Sequence, residues 1–282
     1  MKPKFIIIGA QKCGTSSLHR HLDSHPDISM STQKELNFFV ESLNWKKGIE
    51  WYESQFTKAA ITHGESSPSY TMYPKFTGVP GKIHSYVPDA KLIYIVRDPI
   101  DRIVSHYLHQ WYDKRLSGTL SSILSDPASI RAQHYINTSN YYLQLSQYLE
   151  FYKLSNIYTV SLESLRHSPQ ETMQKIFRFL EVDDNYILPQ ASMVFNATQV
   201  KVRTNKLGDL LLTNSIPLRR LVNISARPLP PALKARIRSL LGSKQDRPKT
   251  DPQARETLRT LLQDDMAKFR ELTGQSFEQW SI

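Results

Sequence analysis

The chain alternates short apolar runs with longer stretches in which apolar residues recur every three or four positions. The runs Lys4 to Ile8, Ala60 to Gly64, Lys91 to Val96 and Asn156 to Ser161 read as strands. Between them, helical spacing covers Ser16 to Leu22, Gly48 to Gln55, Gly81 to Val87, Ile100 to Gln110, Tyr141 to Leu154 and Pro169 to Leu180, the last two amphipathic. Pro252 to Leu272 resumes as a helix opened by Thr250, Asp251 and a proline at its first position. Strands and helices in alternation predict a parallel sheet covered by helices, with ligands at the carboxyl ends of the strands. Two stretches escape the pattern. Ser117 to Asn140 is expected as an irregular surface excursion bordering a pocket, against the alternative of a solvent-facing helical insertion. Residues 183–250 are expected as an irregular basic region within a single domain spanning 1–282.

Charge narrows the class of partner. With 36 Lys and Arg against 26 Asp and Glu, the formal net charge of +10 calls for an acidic partner: a nucleic acid, a membrane surface or a polyanionic small molecule. No zinc-finger or RNA-binding signature is present, so nucleic acid is not expected. Cys13 is the only cysteine, which excludes an intramolecular disulfide and suits a reducing compartment. The apolar run Phe5 to Ile8 is too short for a signal peptide or a membrane span, so a cytoplasmic protein with at most peripheral membrane contact is expected.

The candidate chemistry begins where the first strand ends. In Lys4-Phe-Ile-Ile-Ile-Gly-Ala-Gln-Lys-Cys-Gly-Thr-Ser-Ser17 a buried strand runs into a loop carrying Gly9, Gly14 and one lysine, and then into a helix opened by three hydroxyl residues. Glycines let backbone N–H groups approach an anion, and the helix N-terminus adds partial positive charge. The lysine of the nucleotide triphosphatase loop G-x-x-x-x-G-K-[ST] follows the second glycine, whereas Lys12 precedes Gly14, so this loop is of another kind. Cys13 within it reads as a small buried filler. A second strand, in Lys91-Leu-Ile-Tyr-Ile-Val-Arg-Asp-Pro-Ile-Asp-Arg-Ile-Val-Ser105, ends in Arg97 with Ser105 on the helix that follows. The two motifs imply separate anion sites.

Together, in this order, the motifs resemble those of the sulfotransferases that use 3′-phosphoadenosine 5′-phosphosulfate (PAPS), of the heparan-sulfate type and in a soluble, bacterial-like form. The resemblance implies an α/β three-layer sandwich with a central parallel sheet and a P-loop-like strand, loop and helix. It implies that Gln11, Lys12, Cys13 and Gly14 of the loop, with Thr15, Ser16 and Ser17 of the helix start, hold the 5′-phosphosulfate. Arg97 and Ser105 then hold the 3′-phosphate, and the product is 3′-phosphoadenosine 5′-phosphate (PAP). No metal is required by this chemistry. Lys12 is placed to stabilise the leaving group. Gln33-Lys-Glu-Leu-Asn-Phe-Phe39 resembles the Lys-Glu-x-x-Phe-Phe motif, which makes Glu35 the candidate base, with Phe38 and Phe39 expected to wall the site and raise its basicity.

Gly64-Glu-Ser-Ser-Pro-Ser-Tyr70 resembles the family's Glu-Lys-x-Pro-x-Tyr stretch, with Glu65 a second candidate base. Here the sequence departs from the pattern: Ser66 stands where a lysine meets a polyanionic acceptor, and Asn37 where some glycan enzymes carry histidine. His106 is a further catalytic candidate. Its spacing from His109 on one helix, without cysteine or carboxylate partners, is poor for zinc, and His63 reads as structural. Glu163-Ser-Leu-Arg-His-Ser-Pro169 resembles family scaffold. In Ser243-Lys-Gln-Asp-Arg-Pro-Lys-Thr-Asp-Pro252, which resembles the basic loop reaching back to the nucleotide, Lys244 and Arg247 are candidate ligands or plain surface charge.

The expected function is sulfuryl transfer from PAPS to a hydroxyl, less readily an amine, of a small-molecule acceptor such as a natural product, glycoside or lipid-linked sugar. The competing readings are a glycan sulfotransferase, an ATP-dependent phosphotransferase, and a basic membrane- or nucleic-acid-binding module on Ile216 to Lys249. That last segment, where Arg219, Arg220, Arg227, Lys234, Arg236 and Arg238 alternate with apolar residues, is expected to be a lid over the site.

Overall fold

The computed structural model describes residues 1–113, 116, 118–189, 203–204, 242–243 and 252–282. The chain divides into two compact units. The first comprises Met1–His106, Leu120–Asn196 and Thr250–Ile282 and carries the whole main sheet.

Its strands are β1 (Phe5–Gly9), β2 (Ile28–Met30), β3 (Thr62–Ser66), β4 (Lys91–Val96) and β5 (Ile157–Ser161). They pair in parallel in the order β2-β3-β1-β4-β5. The most continuously apolar runs, β1 and β4, lie at the centre, as expected for strands covered on both faces. The helices are α1 (Thr15–Asp23), α2 (Gly48–Glu53), α3 (Val79–Tyr86), α4 (Pro99–Tyr112), α5 (Leu120–Leu124), α6 (Ile130–Asn137), α7 (Tyr141–Leu149), α8 (Leu162–His167), α9 (Pro169–Leu180) and α10 (Pro252–Thr273).

The period-two alternation of each strand sorts its side chains into two cores. Ile6, Ile8, Leu92, Tyr94 and Val96 face one layer, where α3 contributes Ile83, α7 contributes Tyr141, Leu145 and Tyr148, and α10 contributes Met266 and Phe269. Phe5, Ile7, Ile93 and Ile95 face the other, against Leu18 and Leu22 of α1 and Met173, Ile176 and Phe177 of α9. The result is the expected three-layer α/β sandwich. Asp265 of α10 fixes the start of α7 by accepting from the N–H groups of Tyr142 and Leu143, both at 2.9 Å.

Three local readings change. β2 is an extra edge strand, three residues long, which is too short for a period to show. The segment 117–140, expected as irregular, holds α5 and α6; Ser129 caps α6 by accepting from Ala132 N–H. The helix read as Tyr141 to Leu154 stops at Leu149, where the chain turns so that Tyr152 buries its ring and donates to Val87 C=O at 3.0 Å.

The second unit comprises Tyr107–Thr119 and Ala197–Lys249. Its described part holds the last turns of α4, with Tyr107 OH donating to Gly118 C=O at 2.8 Å, and the antiparallel pair β6 (Arg203–Thr204) and β7 (Gly242–Ser243). Most of the basic region expected at 183–250, with its lid, lies outside the described residues, as do Lys244 and Arg247.

Candidate functional site

The loop between β1 and α1 turns through left-handed backbone at Lys12 and Gly14. Gly14 is the N-cap of α1 at φ +93°, and no side chain caps the helix; Ser17 N–H donates to Gly14 C=O at 2.9 Å. A side chain at Gly14 would be strained by that left-handed backbone and would push Leu162 Cδ1 aside, which lies 2.6 Å from where a Cβ would stand. Lys12 also has positive φ, 71°. Thr15 and Ser17 are buried and Ser16 is exposed. Gly9 serves close approach rather than a turn: a Cβ there would lie 1.9 Å from Thr71 Oγ1, which bonds Ile8 C=O at 3.1 Å. Cys13 is fully buried with its Sγ 3.6 Å from Tyr141 OH, and burial pushes its pKa up to about 11. It remains a thiol at neutral pH and is no nucleophile.

The second motif converges on the first. Arg97, at the end of β4, donates from Nη1 to the carbonyl oxygen of Lys12 at 3.4 Å, and its Nη2 lies 3.5 Å from Asp101 Oδ2. Its Nε is buried and has no partner among the described residues. Tyr141 OH donates to Arg97 C=O at 2.8 Å. The Asp98-Pro99 step caps α4: Asp98 Oδ1 accepts from Asp101 N–H at 2.9 Å, and Pro99 opens the helix. Ser105 follows Asp101 by one turn on the same face of α4 and is partly exposed.

Glu35 stands on a loop that is held from below. It is exposed at φ +64°, pairs with Lys34 Nζ at 2.6 Å, and its N–H donates to Ser66 C=O at 2.9 Å. The expectation that Phe38 and Phe39 wall it is corrected. Both rings are buried in the core, Phe38 stacked on Tyr52 at 4.6 Å and Phe39 edge-on to it at 5.2 Å, because the large aromatics of α2 and the 68–71 turn offer more apolar surface than the loop edge.

Glu65 is fully buried. Its Oε1 accepts from Tyr52 OH and Tyr70 OH, and its Oε2 from Ser67 Oγ, all at 2.8 Å. Tyr70 OH in turn accepts from Phe38 N–H at 3.0 Å, and Ser67 Oγ from Asn37 N–H at 3.0 Å. Burial raises the Glu65 pKa to about 7 against the lowering effect of these hydroxyls. Glu65 therefore supports the Glu35 loop from beneath. The part played by Tyr52 was not readable in the sequence, because it lies far from both motifs.

His106 is buried on α4, its ring 4.8 Å from that of Tyr135 and its Nδ1 3.4 Å from Arg102 Nη2. Arg102 itself is wholly buried, bonding Ser139 Oγ at 2.5 Å and Tyr135 C=O at 3.1 Å. His63 Nε2 lies 2.8 Å from Lys58 O. Among the described residues no cluster of His, Cys, Asp or Glu is arranged for a metal ion, and no helix is long and apolar enough to cross a membrane.

The geometry has counterparts among known proteins. The model of the sulfotransferase domain matches residues 2–207. Mouse bifunctional heparan sulfate N-deacetylase/N-sulfotransferase 4 is 31% identical over 215 residues, covering 67% of this chain and 23% of that protein. Human heparan sulfate glucosamine 3-O-sulfotransferase 5 is 29% identical over 206 residues, covering 70% of this chain and 58% of that protein. The chain thus matches less than two thirds of the length of either relative. A crystal structure of a sulfotransferase from Alicyclobacillus acidocaldarius superposes over 100% of both chains with a TM-score of 0.72 at 23% identity, which establishes the shared fold.

Proposed function

The chain belongs to the sulfotransferase domain family, and from that premise we propose that it transfers the sulfuryl group of PAPS to a hydroxyl of a small-molecule acceptor. The observation that carries the reading is the bond from Arg97 to the Lys12 carbonyl, which joins the two anion motifs at the carboxyl ends of the neighbouring strands β1 and β4. One nucleotide carrying phosphates at both its 5′ and 3′ positions suits such a pair.

The residues present fit that donor. No side chain caps the N-terminus of α1, whose positive end suits an anion, and Arg97 keeps a buried Nε without a partner among the described residues. Bound PAPS supplies a sulfuryl group already activated by a phosphate leaving group. In this reading the loop from Gln11 to Ser17 grips the 5′ end, and Lys12 neutralises the charge that develops on the departing oxygen. Arg97 and Ser105 recognise the 3′-phosphate.

Glu35 takes the acceptor proton as the new oxygen–sulfur bond forms. It is open to solvent, whereas Glu65 is enclosed by three hydroxyls and His106 is packed against Tyr135. The acceptor must displace Lys34 from Glu35, so the ion pair keeps the base aligned until substrate arrives. Ser66, at the position where a lysine would meet a polyanionic sugar, is fully buried, which favours an uncharged acceptor over a sulfated glycan. The lone thiol suits a cytoplasmic enzyme.

The test is incubation with PAPS and a panel of neutral hydroxylated compounds and heparan fragments, with mass detection of products heavier by one sulfuryl group and of released PAP. Products from the neutral set support the whole reading. Products from heparan alone overturn the acceptor class, and turnover that needs ATP and magnesium in place of PAPS overturns the reaction.

A further inference from the structure

Assigning Arg97 and Ser105 to the 3′-phosphate leaves one nearby group unexplained. Asp101 lies one turn before Ser105 on the same face of α4 and holds two guanidiniums at once. Its Oδ2 is 3.5 Å from Arg97 Nη2, and its Oδ1 accepts from Arg255 Nη2 at 3.0 Å. A carboxylate in this position is a resident anion where the nucleotide's anion is expected.

Charge decides what such an arrangement can receive. Arg97 and Asp101 alone sum to zero, and an incoming phosphate would meet the carboxylate as a like charge. Arg255 leaves the trio with a net positive charge. It rises from the first turn of α10, anchored by the buried Ala254 and Leu258 on either side, while its own side chain stays 40% exposed and able to turn. The Arg97 side chain is only 15% exposed and keeps its Nε unpartnered among the described residues, so a donor is already waiting at this spot.

We propose that Arg255 is the second guanidinium of the 3′-phosphate seat: Asp101 holds it beside Arg97 in the free protein, and it turns from the carboxylate onto the phosphate when nucleotide binds. The ligand class is an adenine nucleotide phosphorylated at the 3′ position. The inference rests on the reading of Arg97 and Ser105 above. Nothing in the sequence pointed to Arg255, because it lies 154 residues from Asp101 and beyond the basic loop that the motifs single out.

The experiment compares dissociation constants of PAP and of adenosine 5′-monophosphate, which lacks the 3′-phosphate, by calorimetry on the full chain. Arg255→Gln keeps the stem and removes the charge. It is expected to weaken PAP on the order of tenfold, the share of one charge-assisted hydrogen bond, and to leave the monophosphate within about twofold. Equal losses for both ligands, or none, overturn the inference. In the double variant with Asp101→Asn, a return of wild-type preference for PAP would mean that Arg255 only neutralises Asp101, and would overturn the direct contact. Arg97→Ala separates the two levels of the account. If it abolishes the preference while Arg255→Gln keeps it, the reading of the site stands and the inference fails; if the unaltered protein shows no preference for PAP, both fail.

Discussion

Arg97 Nη1 donates to the backbone carbonyl of Lys12 across 3.4 Å, tying the end of one central strand to the loop that leaves its neighbour. The acceptor is a main-chain oxygen, so the link depends on the course of the loop and not on the identity of the Lys12 side chain. It also holds the two motifs, proposed as the 5′ and 3′ anion seats, at a fixed separation, since both ride on adjacent strands of one buried sheet.

If Lys12 stabilises the departing oxygen, Lys12→Ala lowers the rate of sulfuryl transfer on the order of 100-fold, the usual effect of removing one donor aimed at developing charge. Single-turnover kinetics with saturating PAPS checks this. A variant that keeps its rate and loses only affinity would move Lys12 from catalysis to binding.

If Glu35 is the base, as proposed, Glu35→Gln keeps its shape and removes its basicity. PAP affinity is expected to survive, with transfer collapsing by a factor on the order of 100 to 10,000. The pH profile adds an independent check: the acidic limb of the rate should vanish in the variant. A variant that stays active with the limb intact would return the role to another group.

Glu65 predicts a pH-dependent stability. Its folded pKa, about 7, lies above the ordinary carboxylate value of 4.5, so the folded state binds the proton more tightly than the unfolded state. Its contribution is therefore complete below about pH 4.5 and is lost as pH rises through 7, a change on the order of 3 kcal/mol. Glu65→Gln should flatten that part of the slope of Tm against pH. A slope unchanged by the substitution would show that Glu65 is ionised throughout.

Gly14→Ala forces a side chain onto a backbone at φ +93° and into Leu162. Expected are a loss of stability of about 1 to 3 kcal/mol in denaturant melts and a disproportionate loss of PAP binding, because the distorted loop misaims the first-turn N–H groups of α1. Full PAP affinity in this variant would mean that those groups do not meet the 5′ anion.

The legible parts of the molecule were those with a local signature. β1 and β4 announce themselves as continuous apolar runs, and the Gly14 loop and the Arg97-Asp98-Pro99 turn carry their chemistry in consecutive residues. What stayed hidden depends on distant partners. Phe38 and Phe39 turn inward because Tyr52 and Tyr70 receive them, and Glu65 is a support because three hydroxyls from separate positions surround it. The short strand β2 exists only through its pairing with β3, and Arg255 meets Asp101 only because α10 packs against α7 and the central strands. In each case tertiary packing chose between meanings that the local residues left open.

The most direct measurement is a crystal structure of the full chain with PAP. The account predicts the 5′-phosphate on the N–H groups between Gly14 and Ser17 with Lys12 Nζ beside it, and the 3′-phosphate between the Arg97 guanidinium and Ser105 Oγ. PAP bound in the reverse orientation, or with its 3′-phosphate away from Arg97, would contradict it.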